Sequence, residues 1–346
     1  GCWIMKLLLT DVRSAADAEC VGALRPSRGR LLDARTGFAR PGRGAGWRFA
    51  LGSALAGFVA MVSAGMAMAQ TVATAPCKAT IAVIGGTYLN DALLNSSYLG
   101  QTFRIQTPVG ESPEIACGKA NGVDFYYIHG HGQGRWVETW TALYKLGVKE
   151  AIGGATAGGV NPEMKTRDFV VPSDFIDFNI SRPRALPKQI YAAGETILPR
   201  YTPATDPLLD DILVDETRKR LAADASLKDI RVHKGGVVIQ AAGGRFETPA
   251  EIRFFKQIGG DMVTMNVGSE MAYARMAGVN YASLVVISNP AEGLGDWRFE
   301  DLTAIYRSLN KVSLDIVIAA LPRIAGLAGK PRVGDALRIH PEMTSK

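Results

Sequence analysis

The feature that most constrains the fold is a succession, from residue 79 onward, of short apolar runs and segments with helical spacing. Such alternation is typical of α/β proteins, in which helices cover a central sheet. We see no internal repeat and no second domain. The predicted strands are 80–84, 114–118, 125–128, 151–159, 169–171, 235–240, 262–265 and 283–287, and the predicted helices are 136–146, 210–223, 249–258 and 299–324.

Two segments between these elements have a clear local signal. Asn121-Gly122 separates two apolar runs, and this dipeptide is a strong signal for a tight β-hairpin. Residues 181–208 contain five prolines, which predicts a long surface loop because proline interrupts both helices and sheets.

The first 69 residues differ in charge from the rest of the chain. They hold nine Lys or Arg and four Asp or Glu, which gives a net charge of +5. The whole chain has 39 basic and 33 acidic residues. Residues 70–346 therefore hold 30 basic and 29 acidic residues, a net charge of +1. A nearly neutral body gives no reason to expect a nucleic-acid partner.

Residues 40–69 have the parts of a secretory signal. Arg40, Arg43 and Arg48 precede an apolar run over 49–68, and Ala67-Met68-Ala69 supplies small residues for cleavage before Gln70. A membrane anchor or an N-terminal core helix is the alternative interpretation. We predict export, to the periplasm, with no membrane association after cleavage. Residues 1–39 show no clear hydrophobic period and are left unassigned, with an over-extended gene start as one interpretation.

Cleavage of this signal leaves two cysteines, Cys77 and Cys117. In an oxidising compartment they can pair, and we state the disulfide as a hypothesis. They can equally be two inert buried thiols, since cysteine is often a small core residue. No spacing in the chain is that of a zinc site, so no metal is expected.

The stretch 235–277 carries motifs of a known family. Residues 243–251, Gly-Gly-Arg-Phe-Glu-Thr-Pro-Ala-Glu, are followed by Gly260-Asp261-Met262-Val263-Thr264-Met265 and by Ser269-Glu270. The chain resembles purine nucleoside phosphorylases and the related methylthioadenosine phosphorylases, with Gly244 where that family has proline. Three further segments agree in order: Gly85-Gly86-Thr87, 156–162 and 288–293.

The resemblance covers about residues 79–325 and leaves 326–346 as a C-terminal tail. It implies a single α/β domain with a mixed, twisted central sheet flanked by helices. The implied reaction is phosphorolysis of a purine nucleoside to free base and pentose 1-phosphate, with phosphate as co-substrate and no cofactor. It also implies a homotrimer.

For the base, the resemblance places Asn289, Glu247 and Phe246 in the purine pocket. An amide can accept a hydrogen bond from protonated N7 and donate one to O6, and a carboxylate can accept from N1–H. These residues favour a 6-oxopurine, with Asn289 as a catalytic residue. Taken singly, Asn289-Pro290 is also typical of a turn, and Glu247 of an acid near a helix N-terminus.

For the sugar, Met265 and Glu270 fall at ribose-contacting positions, although methionine also fills cores. For the nucleophile, Thr87, Thr156 and His131 match the phosphate site, and His131 is the second predicted catalytic residue. The ordinary alternative for this histidine is a mobile glycine loop with an exposed imidazole.

The family's phosphate-binding arginine is missing, since its position falls on His129 or Gly130. Histidine is mostly neutral at pH 7, whereas arginine is always charged. Phosphate binding is therefore weakened unless Arg135, a few residues further along the chain, replaces it. This departure keeps two alternatives open: a nucleosidase that uses water, and an exported purine-binding protein without catalysis.

A last departure concerns the sugar 5′ position. Trimeric relatives place a histidine near the start of the last long helix, where this chain has Phe299. An apolar side chain there disfavours a 5′-hydroxyl and tolerates a 5′-alkylthio group, because a buried unpaired hydroxyl is penalised. Phe299 as a plain core residue is the alternative.

Overall fold

The structure is a computed structural model, and it describes residues 75–132, 134–191, 199–330 and 332. The predicted signal over 40–69, the unassigned residues 1–39 and all of the predicted tail beyond 332 lie outside the described residues. Those interpretations therefore stay predictions.

Strands and helices alternate along the described residues. The strands are β1 Ile81–Gly85, β2 Leu99–Phe103, β3 Gln106–Thr107, β4 Gly110–Glu111, β5 Ile115–Ala120, β6 Val123–His129, β7 Glu150–Gly159, β8 Phe169–Val171, β9 Asp174–Asp177, β10 Val232–Lys234, β11 Val237–Gln240, β12 Met262–Thr264 and β13 Asn280–Pro290. The helices are α1 Asn90–Leu94, α2 Trp136–Lys145, α3 Pro207–Ala222, α4 Pro249–Gln257, α5 Val267–Met276 and α6 Phe299–Ala325, and single 3₁₀ turns form at Lys188–Ile190 and Ala225–Leu227.

Eleven strands form one sheet. Eight of them follow the order β10-β8-β13-β7-β1-β6-β5-β2. The other three extend from the carboxyl end of β7, where β12 pairs with β7, β11 with β12, and β9 with β11. The central strands β13, β7, β1 and β6 are parallel. The pairs β8–β13, β5–β6, β2–β5 and β12–β7 are antiparallel. The predicted mixed sheet in a single α/β domain is confirmed.

Helices cover both faces of this sheet, because alternate side chains of a buried strand point in opposite directions. Val83 of β1 joins an apolar cluster that contains Leu209 of α3 and Leu309 of α6. Its neighbour Ile84 joins a second cluster, with Trp140 of α2 and Tyr273 of α5. A strand buried on both faces is typical of a sheet that lies between helices.

The predicted hairpin is confirmed. β5 and β6 pair antiparallel around Asn121 and Gly122, whose φ angles of 50° and 77° are those of the turn that this dipeptide favours. The amide of Asn121 also donates to the carbonyl of Ile318 in α6, at 3.1 Å. The tip of the hairpin is therefore fixed to the last helix.

Two helices differ from the prediction for local reasons. α3 begins three residues earlier than expected, because the carboxylate of Asp206 caps the amides of Leu208 and Leu209 and Pro207 takes the first helical position. α5 was not predicted at all. Nearly all of its residues are buried, so its sequence has no polar face and no helical period.

The cysteine hypothesis is confirmed. Cys77 and Cys117 form a disulfide, with their Cα atoms 6.1 Å apart. The bond joins the segment before β1 to β5, and the hydroxyl of Tyr126 on β6 donates to the carbonyl of Cys77 at 3.0 Å. The alternative of two separate thiols is excluded.

Candidate active site

The predicted site residues follow the carboxyl ends of parallel strands. Gly85 at the end of β1 pairs with His129 at the end of β6, and Asn289 near the end of β13 pairs with Gly158 of β7. Ligands of open α/β sheets bind at this edge, because the loops that leave the strands converge there. Residues that are far apart in the sequence are thus brought to one edge of the sheet.

A group of hydroxyls lies at this edge. Thr87, in the turn after β1, has its Oγ1 2.8 Å from Oγ1 of Thr156 on β7, and it accepts from the Thr156 amide at 3.3 Å. Asn310 of α6 donates to the Thr87 carbonyl at 2.9 Å. Burial raises the pKa of Tyr306, and the neighbouring side chains of Thr156 and Ser288 partly offset that rise. Several hydroxyl donors for an oxygen-rich ligand therefore lie close together.

His131 and Glu270 form a buried pair beside these hydroxyls. Nε2 of His131 lies 2.6 Å from Oε1 of Glu270, and the two side chains are 8% and 0% exposed. The other carboxylate oxygen of Glu270 accepts a hydrogen bond from the hydroxyl of Tyr281. His131 is therefore not an exposed imidazole, and each oxygen of Glu270 already has a protein partner.

Two glycines make room for this pair. A Cβ on Gly86 would lie 2.3 Å from Nδ1 and Cε1 of His131, and a Cβ on Gly153 would lie 2.0 Å from Oε2 of Glu270. Real Cβ atoms do not approach other atoms so closely, so any side chain at either position would displace its neighbour. Both glycines are explained by close packing.

His129 and Arg135, which flank His131 in sequence, are held elsewhere. The His129 ring lies 3.2–3.3 Å from the Asn90 amide, and burial, followed by the nearby His131, lowers the pKa of His129. Arg135 donates to the carbonyl of Glu111 and lies 3.7 Å from Glu138. In this structure Arg135 does not take the place of the missing arginine.

On the base side, Asn289 is buried and partly engaged. Its Oδ1 accepts from the Ser288 hydroxyl at 2.7 Å, and its Nδ2 donates to the Pro290 carbonyl at 2.9 Å. An amide has a second lone pair and a second hydrogen, so one acceptor and one donor position are left.

Burial first, and then the nearby carboxylates Glu251 and Glu292, raise the pKa of Glu247.

An aromatic group stands next to Glu247. The ring of Phe246 meets Trp297 at 5.4 Å and Phe299 at 6.5 Å, both edge to face. Phe246 and Phe299 are 45% and 49% exposed, so Phe299 is not a core residue. These rings give the edge of the sheet an apolar surface.

The loop before Glu247 departs from the family pattern for a backbone reason. Gly243 and Gly244 have φ angles of +92° and +79°. Proline is fixed near −65° and cannot adopt the conformation of Gly244. Met265 packs below this loop, half-buried, with its sulfur 3.6 Å from where a Cβ on Gly243 would stand.

Comparison with known proteins identifies the family of this chain. The sequence model of the phosphorylase superfamily matches residues 16–322. The chain belongs to the phosphorylase superfamily.

Among its relatives in that superfamily is a 6-oxopurine nucleoside phosphorylase of Pyrococcus furiosus, 31% identical over 256 residues, which cover 70% of this chain and 92% of that one. A probable S-methyl-5′-thioinosine phosphorylase of Methanothermobacter thermautotrophicus is 30% identical over 252 residues, 70% of this chain and 83% of the relative. A methylthioadenosine phosphorylase from an antarctic soil metagenomic library shares the fold, with a TM-score of 0.65 at 22% identity over 76% of this chain and 93% of that one.

Two residues at the site of this member of the phosphorylase superfamily, Tyr281 and Tyr306, were not predicted from the sequence. Tyr306 lies seven residues after Phe299 on α6, which is two helical turns, so the helical period was a usable signal. Tyr281 had no such signal. It reaches Glu270 only through the packing of β13 against α5.

One shallow cavity of this phosphorylase is lined by other residues. It has a volume of about 310 Å³ and is lined by Phe175, Arg182, Tyr201 and Met276 among others. In the described ranges its lining includes none of the predicted site residues. We place the site at the strand ends, because the polar side chains that fit the chemistry meet there and not in the cavity.

Proposed function

We propose that the protein catalyses the phosphorolysis of purine nucleosides, releasing the free base and a pentose 1-phosphate. The observation that carries this is the meeting, at one edge of the sheet, of the Thr87–Thr156 hydroxyl pair, the His131 pair and the amide of Asn289. Two relatives that share about 30% of the sequence along most of their length are named as a 6-oxopurine nucleoside phosphorylase and a probable S-methyl-5′-thioinosine phosphorylase.

The reaction has two requirements that these residues can supply: a site that holds the attacking oxygen and a group that binds the departing base. The glycosidic bond breaks as the sugar becomes oxocarbenium-like, its electron pair passes to the purine, and an oxygen of phosphate bonds to C1′. The hydroxyls of Thr87 and Thr156 hold the attacking anion, and Asn289 accepts from protonated N7 of the departing base. No covalent enzyme intermediate is needed.

The test is base release from inosine and from methylthioinosine, each with and without phosphate. Release that depends on phosphate supports the proposal. Release without phosphate supports a nucleosidase instead, for which His131 beside Glu270 is a candidate water-activating group. Binding without release, measured by calorimetry, supports a purine-binding protein.

For the base we propose a 6-oxopurine. Ionised Glu247 accepts only, which suits N1–H and opposes the lone pair at N1 of adenine, and Asn289 has one NH donor left for O6. Sites that hydrogen-bond their substrate reject an analogue of wrong polarity by as much as about 10⁴-fold. We therefore expect kcat/KM to favour the inosine form strongly over the adenosine form of one sugar.

Asn289→Asp is the matching variant. An aspartate repels O6 and accepts from the 6-amino group of adenine, so the variant shifts the ratio of kcat/KM towards adenosine. A wild-type protein that prefers adenine contradicts the assignment of the base pocket.

For the sugar we propose a 5′-alkylthio substituent, together with ribose contacts at Met265. Phe299 and Trp297 place aromatic surface next to Phe246, the predicted base-stacking residue. Apolar surface stabilises a thioether and leaves a hydroxyl without a partner. The comparison of inosine with methylthioinosine measures this preference.

We further propose a homotrimer. Phe178, Ile180, Phe254 and Ile258 are exposed apolar residues, Ile180 to 77%, and the rings of Phe178 and Phe254 lie 6.1 Å apart. Exposed apolar clusters of this kind are typical of interfaces. Light scattering after size-exclusion chromatography measures the subunit number, and Ile180→Lys should dissociate the assembly; a monomeric wild type contradicts the proposal.

Finally, we propose that the protein is exported to the periplasm and begins near Gln70. The Cys77–Cys117 disulfide supports an oxidising compartment, since such bonds are rare in the reducing cytosol. N-terminal sequencing of protein from the native host tests this. A start upstream of residue 49 in a cytosolic protein contradicts it.

A further inference from the structure

Glu270 is unusual among the acidic residues of the site because its side chain has no exposed surface. It lies in the first turn of α5, 0% exposed, with Oε1 at 2.6 Å from Nε2 of His131 and Oε2 bonded to the hydroxyl of Tyr281. A buried carboxylate is costly unless it is hydrogen-bonded on every side, and this one is bonded at both oxygens. Glu270 is thus placed to act on His131.

The geometry of the pair determines which nitrogen of His131 faces the ligand side. An ionised carboxylate can only accept, so the hydrogen in the bond to Glu270 sits on Nε2. The opposite edge of the ring, Nδ1 with Cε1, packs against Gly86, and each of these atoms is 2.3 Å from where a Cβ on Gly86 would stand. Gly86 precedes Thr87, whose hydroxyl bonds to Thr156. The ring therefore presents Nδ1 to the turn that we assign to the nucleophile.

We propose that Glu270 and Tyr281 are positioning residues that act through His131. They hold the imidazole with Nε2 towards the carboxylate and Nδ1 towards the oxygen nucleophile beside Thr87. The proposal rests on the proposed function, and it assigns Glu270 to the nucleophile site in place of the ribose contact predicted from the sequence. Tyr281, on β13, fixes the carboxylate from the opposite side.

The chemical consequence concerns one proton. With its hydrogen on Nε2, neutral His131 has a lone pair on Nδ1 that accepts a hydrogen bond from the O–H of the nucleophile, whether that is hydrogen phosphate or water. As the oxygen bonds to C1′ and the glycosidic electron pair leaves with the purine, the O–H bond breaks and its proton passes to Nδ1. The carboxylate of Glu270 then stabilises the imidazolium, as a triad carboxylate does.

The first test separates turnover from binding. Glu270→Gln keeps the size of the side chain and removes its charge, and Tyr281→Phe removes one hydroxyl. We expect kcat to fall about a hundredfold in Glu270→Gln, in the range of general acid–base effects, and about fivefold in Tyr281→Phe. The KM for the nucleoside should stay within about twofold in both, because neither residue touches the sugar in this proposal.

The matched control is Tyr126→Phe. Tyr126 lies on β6, and its hydroxyl donates to the carbonyl of Cys77 and to no residue of the site. This variant should leave kcat and both KM values unchanged. A rise in nucleoside KM at constant kcat in Glu270→Gln overturns the proposal and restores the ribose contact. Since Glu270→Gln can fail to fold, Tyr281→Phe carries the same comparison in a milder form.

The second test does not depend on turnover. The ¹⁵N resonances of the His131 ring report which nitrogen carries hydrogen, and they are assigned by their loss in His131→Gln. We expect Nε2–H in the wild type and a changed spectrum in Glu270→Gln and Tyr281→Phe. Unchanged His131 resonances in both variants overturn the proposal. If the wild type shows no phosphate-dependent release, the proposed function fails while this spectrum still tests the pair.

Discussion

The disulfide between Cys77 and Cys117 makes a quantitative prediction of stability. It closes a sequence separation of 40 residues. In the loop-entropy model this constraint removes about 13 cal/mol/K from the unfolded chain, or about 4 kcal/mol at 25 °C. Both cysteines are only half-buried, so removing the sulfurs leaves little cavity and the lost constraint dominates. We expect Cys77→Ala/Cys117→Ala to lose about 4 kcal/mol of unfolding free energy.

Urea unfolding with linear extrapolation measures this difference. For about 250 residues, an unfolding entropy of about 0.5 kcal/mol/K converts the loss to a fall of about 8 °C in Tm. Reduction should bring the wild type to the value of the double variant and leave the double variant unchanged. Tyr126→Phe serves as a control, because it loses only the 3.0 Å hydrogen bond to the Cys77 carbonyl. A loss below about 1 kcal/mol in the double variant would refute the loop-entropy reasoning.

Three further predictions concern single residues. Burial raises the pKa of Asp210 from 3.8 to about 7. As pH rises, the unfolded chain loses this proton at a lower pH than the folded chain does. The free energy of unfolding therefore falls by roughly 4 kcal/mol between about pH 4 and about pH 7. Asp210→Asn should lack this slope in urea unfolding at pH 5 and pH 8, and equal slopes contradict the assignment. Gly86→Ala should lower turnover by displacing His131, whereas Gly100→Ala, whose Cβ would meet nothing nearer than 3.5 Å, should not. Phe299→His should raise kcat/KM for inosine relative to methylthioinosine by about tenfold, by supplying a partner for the 5′-hydroxyl; no change would remove Phe299 from the sugar site.

The sequence predicted the elements whose signal is local. The hairpin at Asn121 and Gly122, the strands β1, β7 and β13, and the helices α2, α4 and α6 follow from apolar period and turn residues. It did not predict β9, which is only four residues long and half exposed, or α5, which has no polar face. Short or uniformly buried elements have no periodic pattern and form because neighbouring elements pack on them.

For the site, the sequence by itself determined the residue types at the strand ends, through the motifs around Thr87, Glu247 and Asn289. Only the tertiary structure decided that His131 pairs with Glu270, 139 residues away, and that Tyr281 and Tyr306 join the site. The reason is physical. A local pattern reflects the backbone period of one segment, whereas a contact between distant segments depends on how strands and helices pack, and on which positions lack a Cβ, as at Gly86 and Gly153.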